Sequence, residues 1–257
     1  MPSLYWIERR EHSVVNANGG MHVEMVSSTN IECLFAGGMG YLDHEGQRSG
    51  IFKRPMAGPA RVEVHGIVGD EHGDPRIHGG PEKAVHHYAA ENYVRIAEAF
   101  AECVAALVPG SLGENISARG LSERNVHIGD IYEVGSAILQ VSQPRSPCWK
   151  INHRFGVERM SMHIAEGRIT GWYYRVLRRG MIAPGDAITL VDRQTERFSI
   201  DEFWKVQLSH RPSIDVLVEL IAVPGLAPDW KRRLGEREKW LRARDREQLR
   251  PRVASTG

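Results

Sequence analysis

The 257-residue chain is 42% apolar and 25% charged, ordinary values for a globular protein with room for a sizeable core. A formal net charge of +1 gives no overall pull toward nucleic acid or a membrane surface, and no apolar run approaches the roughly 18 residues of a membrane span. The three cysteines, Cys33, Cys103 and Cys148, are odd in number and far apart, which fits a reduced cytoplasm and excludes the usual four-cysteine iron–sulfur cluster.

Residues 1–28 carry little pattern and are expected to form a poorly ordered extension, with no basic-then-apolar order of a signal peptide. Met21 and Met25 offer alternative starts. A short strand is expected over 31–35, ending at Gly37-Gly38, then a polar, basic loop over 49–55 that holds Lys53, then a strand over 60–64. The glycine-rich stretch 66–74 leads to His78-Gly79-Gly80-Pro81-Glu82-Lys83, a tight turn, and to a strand over 84–88. The spacing of Val94, Ala97, Ala101, Val104 and Val108, with Phe100 and Leu107 beside them, predicts one helix over 91–108. Cys103 in that helix and Cys33 in its strand are read as core packing. Gly113-Glu114-Asn115 forms a loop; strands follow over 131–134 and 137–141, joined through Gly135-Ser136.

A helix over 157–166, a strand over 171–177 and a turn at Pro184-Gly185-Asp186 into a strand over 187–191 complete this part. Many short strands with glycine turns and few helices indicate a mixed α/β, mainly β, barrel-like domain over residues 29–192. The composition then changes. Residues 200–208, 213–222 and 228–246 read as a small three-helix appendage, residues 193–257, ending in a basic tail. Residues 228–252 hold ten Lys or Arg against five Asp or Glu; a solvated face with i,i+4 pairs, such as Glu238 with Arg242, is the plain account. A docking surface for an acidic partner is the sharper one, and nucleic-acid binding is disfavoured.

The chemistry concentrates at Ser142-Gln143-Pro144-Arg145-Ser146-Pro147-Cys148-Trp149-Lys150. The two prolines stiffen the segment and stop a ladder, and Pro147 is placed as a first helical residue beside Cys148. A helix N-terminus with Arg145 and Lys150 nearby favours thiolate over thiol; a cysteine that simply packs is the bland alternative. A cysteine hydrolase would need a histidine base, and His153 is only five residues away. The glycines at 79 and 80 beside Lys83 suit close approach of an anion, although a plain structural turn serves equally. His65, His72, His78, His86 and His87 match no common zinc spacing. In a strand His86 and His87 face opposite ways, so at most one belongs to a given cleft, with Tyr88 on the side of His86.

Together His78-Gly79-Gly80-Pro81-Glu82-Lys83-Ala84-Val85-His86-His87-Tyr88, Gly113-Glu114-Asn115 and Ser142 to Cys148 resemble the MOSC proteins, named for the C-terminal domain of molybdenum cofactor sulfurases. The likeness is closest to the bacterial branch linked to 6-N-hydroxylaminopurine resistance, and it covers about residues 29–246. It implies a barrel-like MOSC fold and a molybdopterin-type molybdenum cofactor, with Cys148 as thiolate ligand to the metal. It also implies Lys53, Lys83, Arg145, Gly79 and Gly80 as partners of the cofactor's anionic groups. His78, His86, Asn115 and Gln143 are then neighbours of the pterin. The activity implied is reduction of N-hydroxylated compounds in the cytoplasm by a detoxifying oxidoreductase. Its electrons come from a separate reductase, docking near Arg242 and Arg246, because the chain carries no flavin or nicotinamide motif. A homodimer is also compatible. Fused sulfurases connect the family to pyridoxal phosphate, but nothing here marks a Schiff-base lysine. A cofactor carrier or sulfur-handling protein without reductase activity is the alternative within the family.

Overall fold

The computed structural model describes residues 28–42, 46–73 and 79–248. Residues 1–27 of the expected extension with its alternative starts, His78 and the basic tail beyond Gln248 lie outside the described residues, while Ser28, placed in that extension, begins the first strand. The early strands are β1 (Ser28–Asn30), β2 (Cys33–Ala36), β3 (Gly40–Tyr41), β4 (Arg48–Ser49), β5 (Arg54–Pro55), β6 (Ala60–Glu63) and β7 (Gly66–Ile67). After them come β8 (Val85–Ala89), β9 (Ile116–Ala118), β10 (Ile131–Val134), β11 (Ala137–Pro144), β12 (Trp172–Arg178), β13 (Gly180–Ile182) and β14 (Ala187–Asp192). Nine of these form one sheet in the order β1-β14-β10-β11-β12-β8-β9-β2-β5, with only β8 and β9 parallel. The expected mixed fold is present, but the sheet is open at β1 and β5 and closes into no barrel among the described residues.

Strand β11 shows why the sheet forms here. Ala137, Leu139 and Val141 alternate into the core and are fully buried, while Ile138 and Gln140 point outward. The strand runs on through Pro144, opposite Trp172, so the first proline does not end the ladder as expected. Pro144 occupies the last strand position, where the next ladder bond is made by Arg145 N–H to Gly171 O at 3.0 Å.

Helix α1 covers Asn92–Ala99 and stops at Phe100, whose φ of −135° and ψ of 66° leave the helical region; a 3-10 turn, Ala101–Ala106, follows. The single helix expected over 91–108 is therefore two elements. Val94, Val104 and Val108 are exposed, and the buried face is Tyr93, Ile96, Cys103 and Leu107. Apolar residues lie on both faces of this stretch, so the spacing alone selected the wrong one. Helices α2 (Lys150–Phe155) and α3 (Met160–Glu166) share a small core with α1 through Ile96, Ile151, Met160 and Ile164.

The C-terminal helices α4 (Ile200–Leu208), α5 (Ile214–Ala222) and α6 (Pro228–Gln248) lie where the sequence places them. Ser199 caps α4 by accepting Glu202 N–H at 3.1 Å, and Arg237 on α6 closes its other end by donating to Gln207 O at 3.1 Å. Phe203, Trp204, Leu217, Leu220, Trp230 and Leu234 join the same apolar core as Leu139 and Val141. Ala227 N–H, just before α6, donates to Ser142 O at 2.8 Å, and Trp230 meets Phe203 edge-on at 4.9 Å. No helix among the described residues is long and apolar enough to cross a membrane.

Candidate functional site

A solvent-open cleft of about 580 Å³ lies at the ends of β8, β11 and β12. One wall is the β4–β5 loop with Gly50, Ile51 and Lys53; another is the loop after β7 with Glu71 and His72. Leu112, Gly113 and Asn115 form a third, and the segment from Arg145 to Lys150 closes the ring with Cys148. His86 and Tyr173, a cross-strand pair with ring centroids 5.1 Å apart, also line it. The walls touch at the backbone level. A Cβ added to Gly50 would lie 2.5 Å from Glu71 O, and one added to Gly113, whose φ is +83°, would lie 3.1 Å from Ile51 Cα.

Of the residues expected at a site, Cys148, Arg145, Lys53, Lys83, His86 and Asn115 converge on this cleft. Cys148 does not sit inside the first helical turn, as expected. Helix α2 starts at Lys150, and the Cys148 carbonyl accepts Ile151 N–H at 3.0 Å from outside it. Gly79, Gly80 and Gln143 lie outside the cleft lining. Gln143 Nε2 donates to Glu82 O at 3.1 Å and Ser142 Oγ to the same oxygen at 2.6 Å, which fastens the 3-10 turn Pro81–Lys83 to β11. Asn115 is similarly engaged. Its Oδ1 accepts His86 N–H at 3.0 Å, and its Nδ2 donates to Asp70 Oδ2 at 3.0 Å and Phe35 O at 3.2 Å. Three of its four hydrogen-bonding positions thus tie walls together.

The cations of the cleft differ in how they are compensated. Lys53 is paired with Asp70, both side chains almost fully buried, and Asp70 also accepts Gly37 N–H at 3.0 Å. Burial pulls the Lys53 ammonium below the ordinary lysine value, with Asp70 opposing. Lys83 is shifted the same way by burial, opposed by Asp229 and reinforced by Arg233, so the first turns of α6 stand at the rim. Arg242 and Arg246 lie roughly 14 and 20 Å further along that helix from Arg233. Arg242 is held by Glu238. Arg145 is only 7% exposed and makes no ion pair with a carboxylate among the described residues, although its charge favours the ionised form of the buried Glu114. One guanidinium nitrogen reaches Leu112 O at 3.4 Å, and Nη1 is buried without a partner. A buried arginine in this state retains a desolvation cost that an anion in the cleft would offset.

The two strand histidines divide as expected. His86 lines the cleft, and burial, with the charge of Arg145, holds its imidazole well below the ordinary histidine value, so it is neutral. His87 faces the core, 4.5 Å from Trp172 and hydrogen-bonded through Nδ1 to Tyr174 Oη at 3.0 Å; burial pushes its pKa down to about 3. Tyr173 and Glu71 also line the cleft and were passed over by the sequence reading, while Lys150, read as a cation near Cys148, and His72, weighed only as a zinc ligand, join them there. The period-two alternation along β12, applied from Trp172, would have placed Tyr173 on the His86 side.

The MOSC domain description matches residues 74–189, which span β8, β11, β12 and Cys148. Protein YiiM of Escherichia coli (strain K12) is 34% identical over 193 residues, 75% of this chain and 86% of that protein. The chain belongs to the MOSC domain family, in the YiiM branch. The crystal structure of YiiM from Escherichia coli superposes with a TM-score of 0.70 at 28% identity, over 83% of this chain and 93% of that one. A protein of Gibberella moniliformis named "Reductase" is 36% identical over 178 residues, 68% of this chain but 31% of that protein. The region matched to the MOSC domain therefore contains the β8–β12 ladder and the arginine–cysteine segment.

Proposed function

We propose that this MOSC protein binds a pterin-based molybdenum cofactor in the cleft and reduces N-hydroxylated compounds to amines. The observation that carries the reading is Arg145: a buried guanidinium with no ion pair among the described residues, one nitrogen unpartnered, in the same cleft as the Cys148 thiol. That donor set suits a group that is anionic at one end and takes a sulfur ligand at the other. Arg145, with Lys83 and Lys150 at the rim, would hold the phosphate, and Cys148 would hold the metal. The neutral His86 and the backbone around Gly50 and Gly113 offer uncharged neighbours to a pterin. The Lys53–Asp70 pair and Asn115 keep the walls in register. Bound there, the cofactor would supply two-electron redox chemistry at molybdenum. The overall change is R–NHOH plus two electrons and two protons giving R–NH2 and water, with the N–O bond broken. The electrons would come from a separate reductase, and a relative named "Reductase" supports that class of chemistry.

A cysteine hydrolase is less well supported, because no hydrogen bond joins the Cys148 thiol to an imidazole among the described residues. The test is metal and pterin analysis of protein made in a cofactor-competent host. Wild type is expected to carry molybdenum and pterin and to reduce 6-N-hydroxylaminopurine with a chemical reductant, and Cys148→Ala to lose the metal. Wild type with neither metal nor pterin would sink the reading. Bound cofactor without turnover would leave a carrier.

A further inference from the structure

Four tyrosines are buried in the body of the protein, and each hydroxyl has a partner within the chain. Tyr88 donates to Ile169 O at 2.8 Å, Tyr93 to Glu114 Oε1 at 2.6 Å and Tyr132 to Asp130 Oδ2 at 3.2 Å, while Tyr174 is bonded to His87 Nδ1 at 3.0 Å. Tyr173 departs from this pattern. It lines the cleft, its ring is fixed against His86, and its backbone is held in β12 opposite Gln143. Arg145 and Cys148 line the same cleft; burial raises the phenol above the ordinary tyrosine value, with Arg145 opposing and Cys148 adding to the shift. A guanidinium has donors and no acceptor, so it can bond the phenolic oxygen but cannot take the phenolic proton. Among the described residues no side-chain or backbone oxygen accepts that proton. Tyr173 thus brings an O–H donor to the cleft that also holds the cysteine, where the one carboxylate of the lining, Glu71, is engaged by Met39 N–H at 2.9 Å.

We infer that the Tyr173 hydroxyl is a catalytic hydrogen-bond donor to the substrate oxygen that departs when the N–O bond breaks. This rests on the reading of the cleft as a site of N-hydroxy reduction. The oxygen gains negative charge as the bond lengthens, and a donor already aimed at it stabilises that change without reorganisation. The two electrons come from the separate reductase, or from a chemical reductant in the assay. The two protons taken up come finally from solvent, so Tyr173 is unchanged over the cycle.

Tyr173→Phe removes one oxygen and keeps the ring, the stack on His86 and the strand register. In the holoprotein driven by a chemical reductant, kcat for 6-N-hydroxylaminopurine should fall by about 10²- to 10³-fold, the usual loss for one such donor, with molybdenum and pterin content unchanged. A second measurement needs no turnover: equilibrium dialysis of the oxidised protein against 6-N-hydroxylaminopurine and against adenine, which lacks the hydroxyl oxygen. Tyr173→Phe should weaken the hydroxylated purine by roughly 2- to 10-fold and leave adenine unchanged. Equal weakening of both purines, or of neither, overturns the assignment, as does loss of molybdenum with the hydroxyl. If wild type carries cofactor but reduces nothing, the functional reading fails, and the dialysis contrast alone decides the role of Tyr173.

Discussion

Strands β8 and β12 set two histidine–aromatic pairs back to back. On the core side His87 packs on Trp172 and is bonded to Tyr174; on the cleft side, one residue along each strand, His86 packs on Tyr173 beside Arg145. The residue types are nearly the same, and the alternation of a strand alone assigns them to opposite fates. Core-side hydrogen bonding is incomplete, since His87 Nε2 and Trp172 Nε1 are also unpartnered. Those groups, however, are sealed and neutral. The cleft side holds two unpartnered buried atoms, His86 Nε2 and Arg145 Nη1, and the second carries charge in the wall of a solvent-open cleft, which makes that face a place for a ligand and the other a place for stability.

The largest effect separating the two faces should come from Trp172→Ala, which empties a fully buried site and is expected to cost about 3–5 kcal/mol in urea unfolding. If that variant lost cofactor before it lost stability, the division would be wrong. Arg145→Met should behave in the reverse sense. Cofactor retention is expected to fall roughly 10- to 100-fold while the urea midpoint of cofactor-free protein moves far less than in Trp172→Ala, because loss of the buried guanidinium's desolvation cost offsets loss of its attraction to the buried Glu114 carboxylate.

The core-side histidine also predicts a pH limb. His87 is neutral in the folded protein down to about pH 3, whereas the unfolded chain takes up that proton near 6.5. Stability from this group is therefore complete above about 6.5 and declines as the pH falls toward 3, by about 1.4 kcal/mol per pH unit at the steepest. His86, shifted in the same direction, adds to it. His87→Gln should flatten the limb by its own share in unfolding curves between pH 7 and 4; an unaltered slope would count against a buried, neutral His87. Smallest is the contrast between neighbours. Tyr174→Phe should cost about 1 kcal/mol by removing the bond to His87, and Tyr173→Phe less than about 0.5 kcal/mol.

Much of this arrangement was legible in the chain. The strand pattern, the three C-terminal helices and the opposite facing of His86 and His87 follow from periodicity and turn residues. Cys148, Arg145, Lys83 and His86 were expected at one place through the family likeness, and they meet in one cleft. What stayed hidden depended on partners distant in sequence. Asn115 and Gln143 looked like free amides, but Asp70, Phe35 O and Glu82 O engage them from 45, 80 and 61 residues away. Lys53 looked like a free cation until Asp70 was placed against it. Tyr173 was hidden differently: an aromatic run identifies a strand, and only the bonded state of the other tyrosines marks the one that is left over.

The bond from Ala227 N–H to Ser142 O reaches from the approach to the last helix back to the strand that leads to Cys148. On the ribosome that strand is made long before its partner emerges, and Phe203 waits for Trp230 in the same interval. The order of synthesis thus leaves the strand before Cys148 without this tie until the last helix is made. A premature stop codon after Leu208 would leave every cleft-lining residue in the chain but remove the Ala227 donor to Ser142 and the Trp230 ring against Phe203.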